Sequence, residues 1–452
     1  MVKQTLNHQN NQAMQPIKII ARYTILLFML FLAKPVLAQR PNIIYIMTDD
    51  MGYGDLSCYG NKKFMTPNLD KLASQGVKFV NAYAAAPVCT PTRTALMTGR
   101  YPARLTLGLL EPLRSPGKDS AYGLTGDIPS LGILMKAGGY ETALIGKWHL
   151  GFMPRHSPIK NGFDYFFGIH SGGADYISHK GENGTRSYDL YENDSPDYTK
   201  GYLTDLFSQR SVSFINQKHD KPFFLMVTYN APHWPWQGPT DPAYPDSTDF
   251  TAGGSPAIYA AMMKSLDDGV GKIMEALDGS KLNNNTIVIF TNDNGGERYS
   301  DNGGLSKSKM TVWEGGIRVP AFVRWTGRIN AGITTEQMAI TMDWTATILK
   351  AAGAKADTNY SLDGIDLMPV LTGISGNIDR TFYWRIFQRR DQKAARDGKW
   401  KYLKDEKGEY LFDLSVDQEE KNNLREKEKE RFEKIKAKLA GWEKTVLQPI
   451  PL

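Results

Sequence analysis

Asn42-Ile43-Ile44-Tyr45-Ile46-Met47-Thr48-Asp49-Asp50 is a nearly unbroken apolar run that ends on two adjacent carboxylates. Continuous rather than alternating hydrophobicity marks a strand buried on both faces, as in a parallel sheet covered by helices. In open α/β sheets ligands bind beyond the carboxyl ends of the strands, so Asp49 and Asp50 fall on the ligand-binding edge.

Comparable runs recur at 142–145, 222–228, 286–291 and 318–323, separated by helical stretches at 68–74, 130–137, 202–217 and 258–277. This alternation predicts an α/β fold with a large, mostly parallel central sheet sandwiched by helices. After about Gly373 the texture changes. Residues 400–403 and 409–414 read as a hairpin around Lys407-Gly408, and Phe432, Ile435, Leu439 and Trp442 form one apolar stripe on a charged helix. The expected domains are therefore a catalytic unit at 39–373 and a smaller C-terminal α+β subdomain at 374–452, a short antiparallel sheet plus a helix. The charge run at 425–431 reads as a solvated helix face.

The chain has 452 residues, 41% of them hydrophobic, with 54 Lys+Arg against 48 Asp+Glu and two cysteines. These values exclude a disordered tail protein, a collagen-like repeat, a disulfide-stapled miniprotein and a zinc-finger array. Cys58 and Cys89 allow a single pairing, so disulfides do not hold the fold together. Residues 1–38 contain Lys3, Lys18, Arg22 and Lys34 and no acid, and without them the net charge falls from +6 to +2. The basic balance thus belongs to the leader and gives no case for nucleic acid. The leader's apolar run, 24–33, is shorter than the roughly 20 residues needed to span a bilayer and closes on a small residue at Ala38. It reads as a cleaved secretory signal, with export to the periplasm or outside the cell and no membrane span after cleavage; a retained anchor is the alternative.

A second apolar run, 286–291, leads into Asn292-Asp293-Asn294-Gly295-Gly296. If both strands are central, Asp49, Asp50, Asp293 and Asn294 can surround one ion, and an all-oxygen set suits Ca²⁺ or Mg²⁺ rather than zinc. Each pair alone reads equally well as a turn. Cys89-Thr90-Pro91-Thr92-Arg93 opens a helix, where backbone N–H groups favour negative charge and Arg93 lies one turn on. Cys89 alone could be a buried apolar filler or a thiolate nucleophile, although thiol phosphatases place Cys and Arg six apart and here the separation is four. Lys147 and His149 follow one strand and His233 another, as proton-transfer and anion-binding candidates. Lys309, five residues before a turn into a strand at 314–320, could be any surface lysine.

Together the segments 42–50, 89–100 (CTPTRTALMTGR), 146–151 (GKWHLG), 231–235, 292–295 and 309–320 resemble the type I sulfatases, the formylglycine-dependent members of the alkaline-phosphatase superfamily, and bacterial polysaccharide sulfatases among them. The likeness runs from about residue 40 to about 420, ending in Leu411-Phe412-Asp413-Leu414. The C-x-P-x-R core followed by T-G-R is its most specific part, because it resembles the signal for oxidising that cysteine to Cα-formylglycine.

The resemblance implies hydrolysis of sulfate esters. Residue 89 would become an aldehyde, hydrated to a gem-diol on Ca²⁺, with Mg²⁺ as the alternative ion. One hydroxyl would attack sulfur and the other, deprotonated by His149, would expel the sulfate. Asp49, Asp50, Asp293 and Asn294, with residue 89, match the metal ligands; Asp293 would also take the nucleophile's proton. Arg93 and Lys147 would steady residue 89, while Lys309 and His233 would bind the sulfate and assist the departing alcohol. It further implies a formylglycine-generating or sulfatase-maturing enzyme as partner and a sulfated carbohydrate as substrate. Arg155, His156, His170, His179, Arg186, Trp234, Trp236 and Arg324 are candidates for lining a pocket for an anionic sugar. The alternatives are a phosphomonoesterase or phosphodiesterase of the same superfamily and a non-catalytic carbohydrate-binding relative.

Overall fold

A computed structural model describes residues 40–114, 121–182 and 187–450. The predicted leader and Arg186 lie outside the described residues. The chain from Pro41 onward forms one compact unit, and no helix among the described residues is long and apolar enough to cross a membrane.

Among the described residues sixteen strands follow in chain order: β1 Asn42–Thr48, β2 Val77–Phe79, β3 Ala82–Tyr83, β4 Glu141–Lys147, β5 Tyr165–Ile169, β6 Leu190–Glu192, β7 Ser195–Pro196, β8 Phe223–Thr228, β9 Thr286–Asn292, β10 Ala321–Trp325, β11 Ile333–Thr335, β12 Ala339–Ile340, β13 Thr381–Ile386, β14 Gln392–Asp397, β15 Trp400–Asp405 and β16 Gly408–Asp413. Ten of them form one sheet in the order β11-β2-β10-β9-β1-β8-β4-β5-β6-β7. The five central strands, β9, β1, β8, β4 and β5, are parallel. Their C-terminal ends therefore share one edge.

Every residue of β1 is buried, and the burial is two-sided. Ile44 and Ile46 enter one core cluster with the helix Pro256–Gly279, while Ile43, Tyr45 and Met47 enter another with the helices Leu131–Ala137 and Thr341–Ala352. This is the physical origin of the unbroken apolar run.

The run expected at 318–323 needs correction: the strand is Ala321–Trp325, and it pairs antiparallel with both β9 and β2. Pro320 has no N–H to give a ladder. Arg318 is turned away to hold the Val80 carbonyl at 2.9 Å. The flanks of the sheet are thus mixed, not uniformly parallel.

The predicted hairpin is the pair β15–β16, and β13 and β14 extend it to a four-stranded antiparallel sheet. The predicted stripe Phe432, Ile435, Leu439 and Trp442 is buried on the helix Lys429–Glu443. It shares a third cluster with Val88 and Ala95 of the main unit, so the C-terminal sheet packs behind the segment that carries Cys89.

Candidate active site

β1 and β9 run in parallel register up to Thr48 opposite Asn292, so Asp49-Asp50 and Asp293-Asn294 leave the sheet side by side. The two exits are cross-linked. Thr48 accepts the Asp293 N–H at 3.2 Å, Asp293 Oδ1 accepts the Asp50 N–H at 3.3 Å, and Asn294 Nδ2 donates to Asp50 Oδ1 at 2.8 Å. Asp50 sits at φ 65°, a left-handed conformation that Asp tolerates better than most residues. Asn292, which the sequence did not single out, staples the loops by accepting from Thr48 Oγ1 at 2.7 Å and donating to the Met51 carbonyl at 2.7 Å.

Cys89 is the first residue of the wholly buried helix Cys89–Thr98, and its Sγ lies 3.5 Å from Asp49 Oδ1. One ligand atom from each of Asp49, Asp50, Cys89 and His233 falls within 4.8 Å of all the others. Lys147, the last residue of β4, is fully buried with its ammonium on Asp49 Oδ2. Arg93, one turn into the helix, reaches Asp293 Oδ2 at 3.1 Å and Asp49 Oδ2 at 3.8 Å. On the other side Lys309 Nζ is 2.7 Å, and His233 Nε2 3.6 Å, from Asp50 Oδ2.

Three carboxylates therefore face three cations at largely buried positions, and the charges set each other's protonation. Burial opposes ionisation of Asp49, but Lys147, His233, Arg93 and Lys309 together hold its carboxyl well below the usual range. Asp293 is pushed up to about 7 by burial and then by Asp49, against the pull of Arg93. Burial drives the Cys89 thiol well above its ordinary value despite Lys147 and Lys309. A protonated thiol is a poor nucleophile, so this environment does not favour the thiol-phosphatase reading. His149 is held well below 6.5 by burial and Lys147. Its Nε2 lies 2.9 Å from the Leu113 carbonyl and so carries the hydrogen, leaving Nδ1 buried, unprotonated and without a partner among the described residues. Burial lowers His233 to about 4.

A cavity of about 590 Å³ opens over this cluster, lined by Cys89, His149, His233 and Lys309. Trp234 and Trp236, both sequence candidates, line it too. So do Arg114, Glu182, Arg298 and Arg389, which the sequence reading passed over. Arg298 had a signal, since it lies four residues beyond Asn294 at the same strand exit; Arg389 belongs to the β13–β14 connection and had none.

Among the described residues, the other wall candidates do not line the cavity. Arg155 is exposed on a turn, and His156 Nδ1 is bonded to the Leu124 carbonyl at 3.2 Å. His170 is buried between Phe166 and Tyr191, with ring centroids 5.1 and 4.9 Å away. His179 is spent on the Gly201 carbonyl at 2.8 Å. Arg324 pairs with Val288, toward the opposite edge of the sheet, and binds Asn283; in an antiparallel strand the late residues point away from the ligand-binding edge.

The family model "Sulfatase" matches residues 41–354, and "N-sulphoglucosamine sulphohydrolase, C-terminal" matches 306–445. N-acetylgalactosamine-6-sulfatase of Rattus norvegicus is 36% identical, over 77% of this chain and 68% of its own length. Steryl-sulfatase of Homo sapiens is 32% identical over 79% and 74%. Among solved structures, Ps i-CgsB in complex with k-i-k-neocarrahexaose is 32% identical with a TM-score of 0.81, covering 91% of this chain and 94% of that one.

Proposed function

The chain belongs to the sulfatase family, and from that premise we propose that it hydrolyses sulfate esters of a carbohydrate, with residue 89 oxidised to formylglycine and a calcium ion on Asp49, Asp50, Asp293 and Asn294. The observation that carries this reading is the convergence of Asp49, Asp50, Cys89 and His233 within 4.8 Å, with buried Lys147 and Lys309 alongside.

The residues fit a hard cation. Asn294 Oδ1 is buried with no donor among the described residues, and a neutral carbonyl oxygen beside carboxylates is a donor set for calcium or magnesium. A bound cation supplies positive charge against the sulfate and against the charge that develops as the ester bond breaks. A hydrated aldehyde at residue 89 would supply the attacking oxygen and a second hydroxyl for releasing the sulfate, so that water would not have to attack the hindered sulfur in a second step.

The chain's own residues do the rest. Arg93 bridges Asp293 and the Lys147 carbonyl at 3.1 Å each and so fixes the helix turn that carries residue 89. Asp293, held in place by Arg93, takes the nucleophile's proton. Lys309, kept charged by Asp50 against the effect of burial, binds a sulfate oxygen and donates to the departing alcohol. His233, beside it, orients the same group. His149 Nδ1 is the base for sulfate release.

Carbohydrate is favoured over a simple aryl ester by the lining: Trp234 offers an aromatic surface for a sugar ring, and Arg114, Arg298 and Arg389 bring guanidinium groups for further anions of a polyanionic chain. Among its relatives, N-acetylgalactosamine-6-sulfatase is named for a sulfated sugar, and Ps i-CgsB is seen with a neocarrahexaose. Residues 1–38 are a leader removed on export to the periplasm or beyond, 39–373 the catalytic unit and 374–452 a subdomain, and a maturing enzyme modifies Cys89.

The test compares initial rates on 4-nitrophenyl sulfate and 4-nitrophenyl phosphate, followed by chromatography of sulfate released from sulfated oligosaccharides. Sulfate is preferred, and Cys89→Ala abolishes turnover. Near-wild-type hydrolysis by Cys89→Ala, or intact mass of unmodified cysteine in fully active protein, would refute the assignment.

A further inference from the structure

Glu182 stands apart from the other groups that line the cavity. It is a partly buried carboxyl in a site built for anions, and the roles above give it no task. Its backbone is fixed: the Glu182 N–H donates to the Gly173 carbonyl at 2.9 Å, next to the bridge between Ala174 and Gly181. Its side chain reaches back over Gly172. A Cβ built there would lie 2.3 Å from Glu182 Oε1 and 2.9 Å from His149 Nε2, so the bare glycine is what lets carboxyl and imidazole flank one space. No described group donates a hydrogen bond to the carboxyl, and burial pushes it up to about 7 although Lys147 and Lys309 pull the other way.

Such a group costs twice. It is partly withdrawn from water with no donor among the described residues, and when ionised it repels the sulfate that the site must attract. A hydrogen bond donated by the substrate offsets both costs. Sites that hold an unsatisfied polar group discriminate strongly against ligands that leave it unsatisfied.

On the reading that the substrate is a sulfated sugar, we propose that Glu182 is a specificity-determining residue, accepting a hydrogen bond from a hydroxyl or amide N–H of the ring that carries the scissile sulfate. An aryl sulfate brings no such donor. Glu182 therefore selects for the sugar and against simple esters, whereas the cations beneath it serve both.

The experiment measures kcat and KM for wild type, Glu182→Gln and Glu182→Ala on two kinds of ester. One is 4-nitrophenyl sulfate; the other is whichever of N-acetylgalactosamine 6-sulfate and a carrageenan hexasaccharide wild type cleaves faster. Glu182→Ala loses about ten- to a hundredfold more kcat/KM on the sugar than on the aryl ester, the range for a hydrogen bond to a charged group. Glu182→Gln, which keeps an acceptor oxygen of the same shape, falls between. Equal losses on both esters, or no loss on the sugar, would overturn the proposal. A wild-type enzyme that cleaves the aryl ester but neither sugar removes its premise and overturns it too, while leaving sulfatase activity intact.

Discussion

Asn294 illustrates how one side chain can be set by its neighbours for a partner the protein does not itself supply. Its amide nitrogen is committed to Asp50 Oδ1 at 2.8 Å and the Gly295 carbonyl at 2.9 Å, which fixes the orientation of the amide and leaves Oδ1 buried and unsatisfied. An orphaned carbonyl costs about 1–3 kcal/mol, and a cation removes that cost. Calcium at about a hundred times its Kd should then stabilise the fold by about 2.7 kcal/mol, read as a rise in melting temperature that excess EGTA reverses along with turnover. Asn294→Ala should shrink the shift while leaving the calcium-free protein folded. A calcium-dependent shift equal to that of wild type would remove Asn294 from the ligand set.

At the scale of elements, most of the site was legible because it sits on strand exits. Each parallel strand announces itself as an apolar run, and the residues at or beyond its end, Asp49, Lys147, His233 and Asp293, must share an edge. Residues reached through long connections were legible only through the family resemblance, as Lys309 was, or not at all. Lys309 is set by its N–H on the Gly296 carbonyl at 3.1 Å, a contact no local pattern encodes. Arg324, His170 and His179 failed as wall candidates because residue type carries no information on register or on which way a strand runs. The β13–β14 connection brought Arg389 to the cavity for a similar long-range reason: the Glu111 carboxylate accepts the N–H groups of Phe387 at 2.7 Å and Gln388 at 2.8 Å. Glu111 is 6% exposed, and Glu111→Ala removes the acceptor that the two N–H groups share. It should cost about 2–4 kcal/mol, read from the urea midpoint, and raise KM for a polyanionic oligosaccharide more than for 4-nitrophenyl sulfate. An unchanged midpoint would show that the connection is held by something else.

Across the whole molecule, the C-terminal sheet is joined to the main unit by charge as well as by the apolar cluster behind Cys89. Lys401 of β15 is fully buried and pairs at 2.8 Å with both Glu314, in the turn beyond Lys309, and Glu420. One cation cannot fully satisfy two carboxylates in a dry interior, and the proton is shared unequally. Lys401 and Arg318 hold Glu314 down at about 2 against the effect of burial, while burial pushes Glu420 up to about 7 against the pull of Lys401. The signs are opposite. Glu314, depressed, contributes stability above its ordinary 4.5 that is lost as pH falls toward 2. Glu420, raised, contributes stability that is fully present below 4.5 and is lost as pH rises through about 7, because the folded chain keeps a proton there that the unfolded chain has released. Other raised carboxyls, such as Asp55 at about 7, titrate in the same window, so the comparison must be between variants. Glu420→Gln keeps an oxygen for the Glu314 N–H, which lies 2.7 Å from Glu420 Oε2, but it has no proton to lose. Urea midpoints at pH 5 and pH 8 should therefore show wild type losing on the order of 1–3 kcal/mol more than Glu420→Gln between the two. Parallel pH dependence in the two proteins would mean that Glu420 is ionised throughout and that Lys401 holds both carboxylates charged.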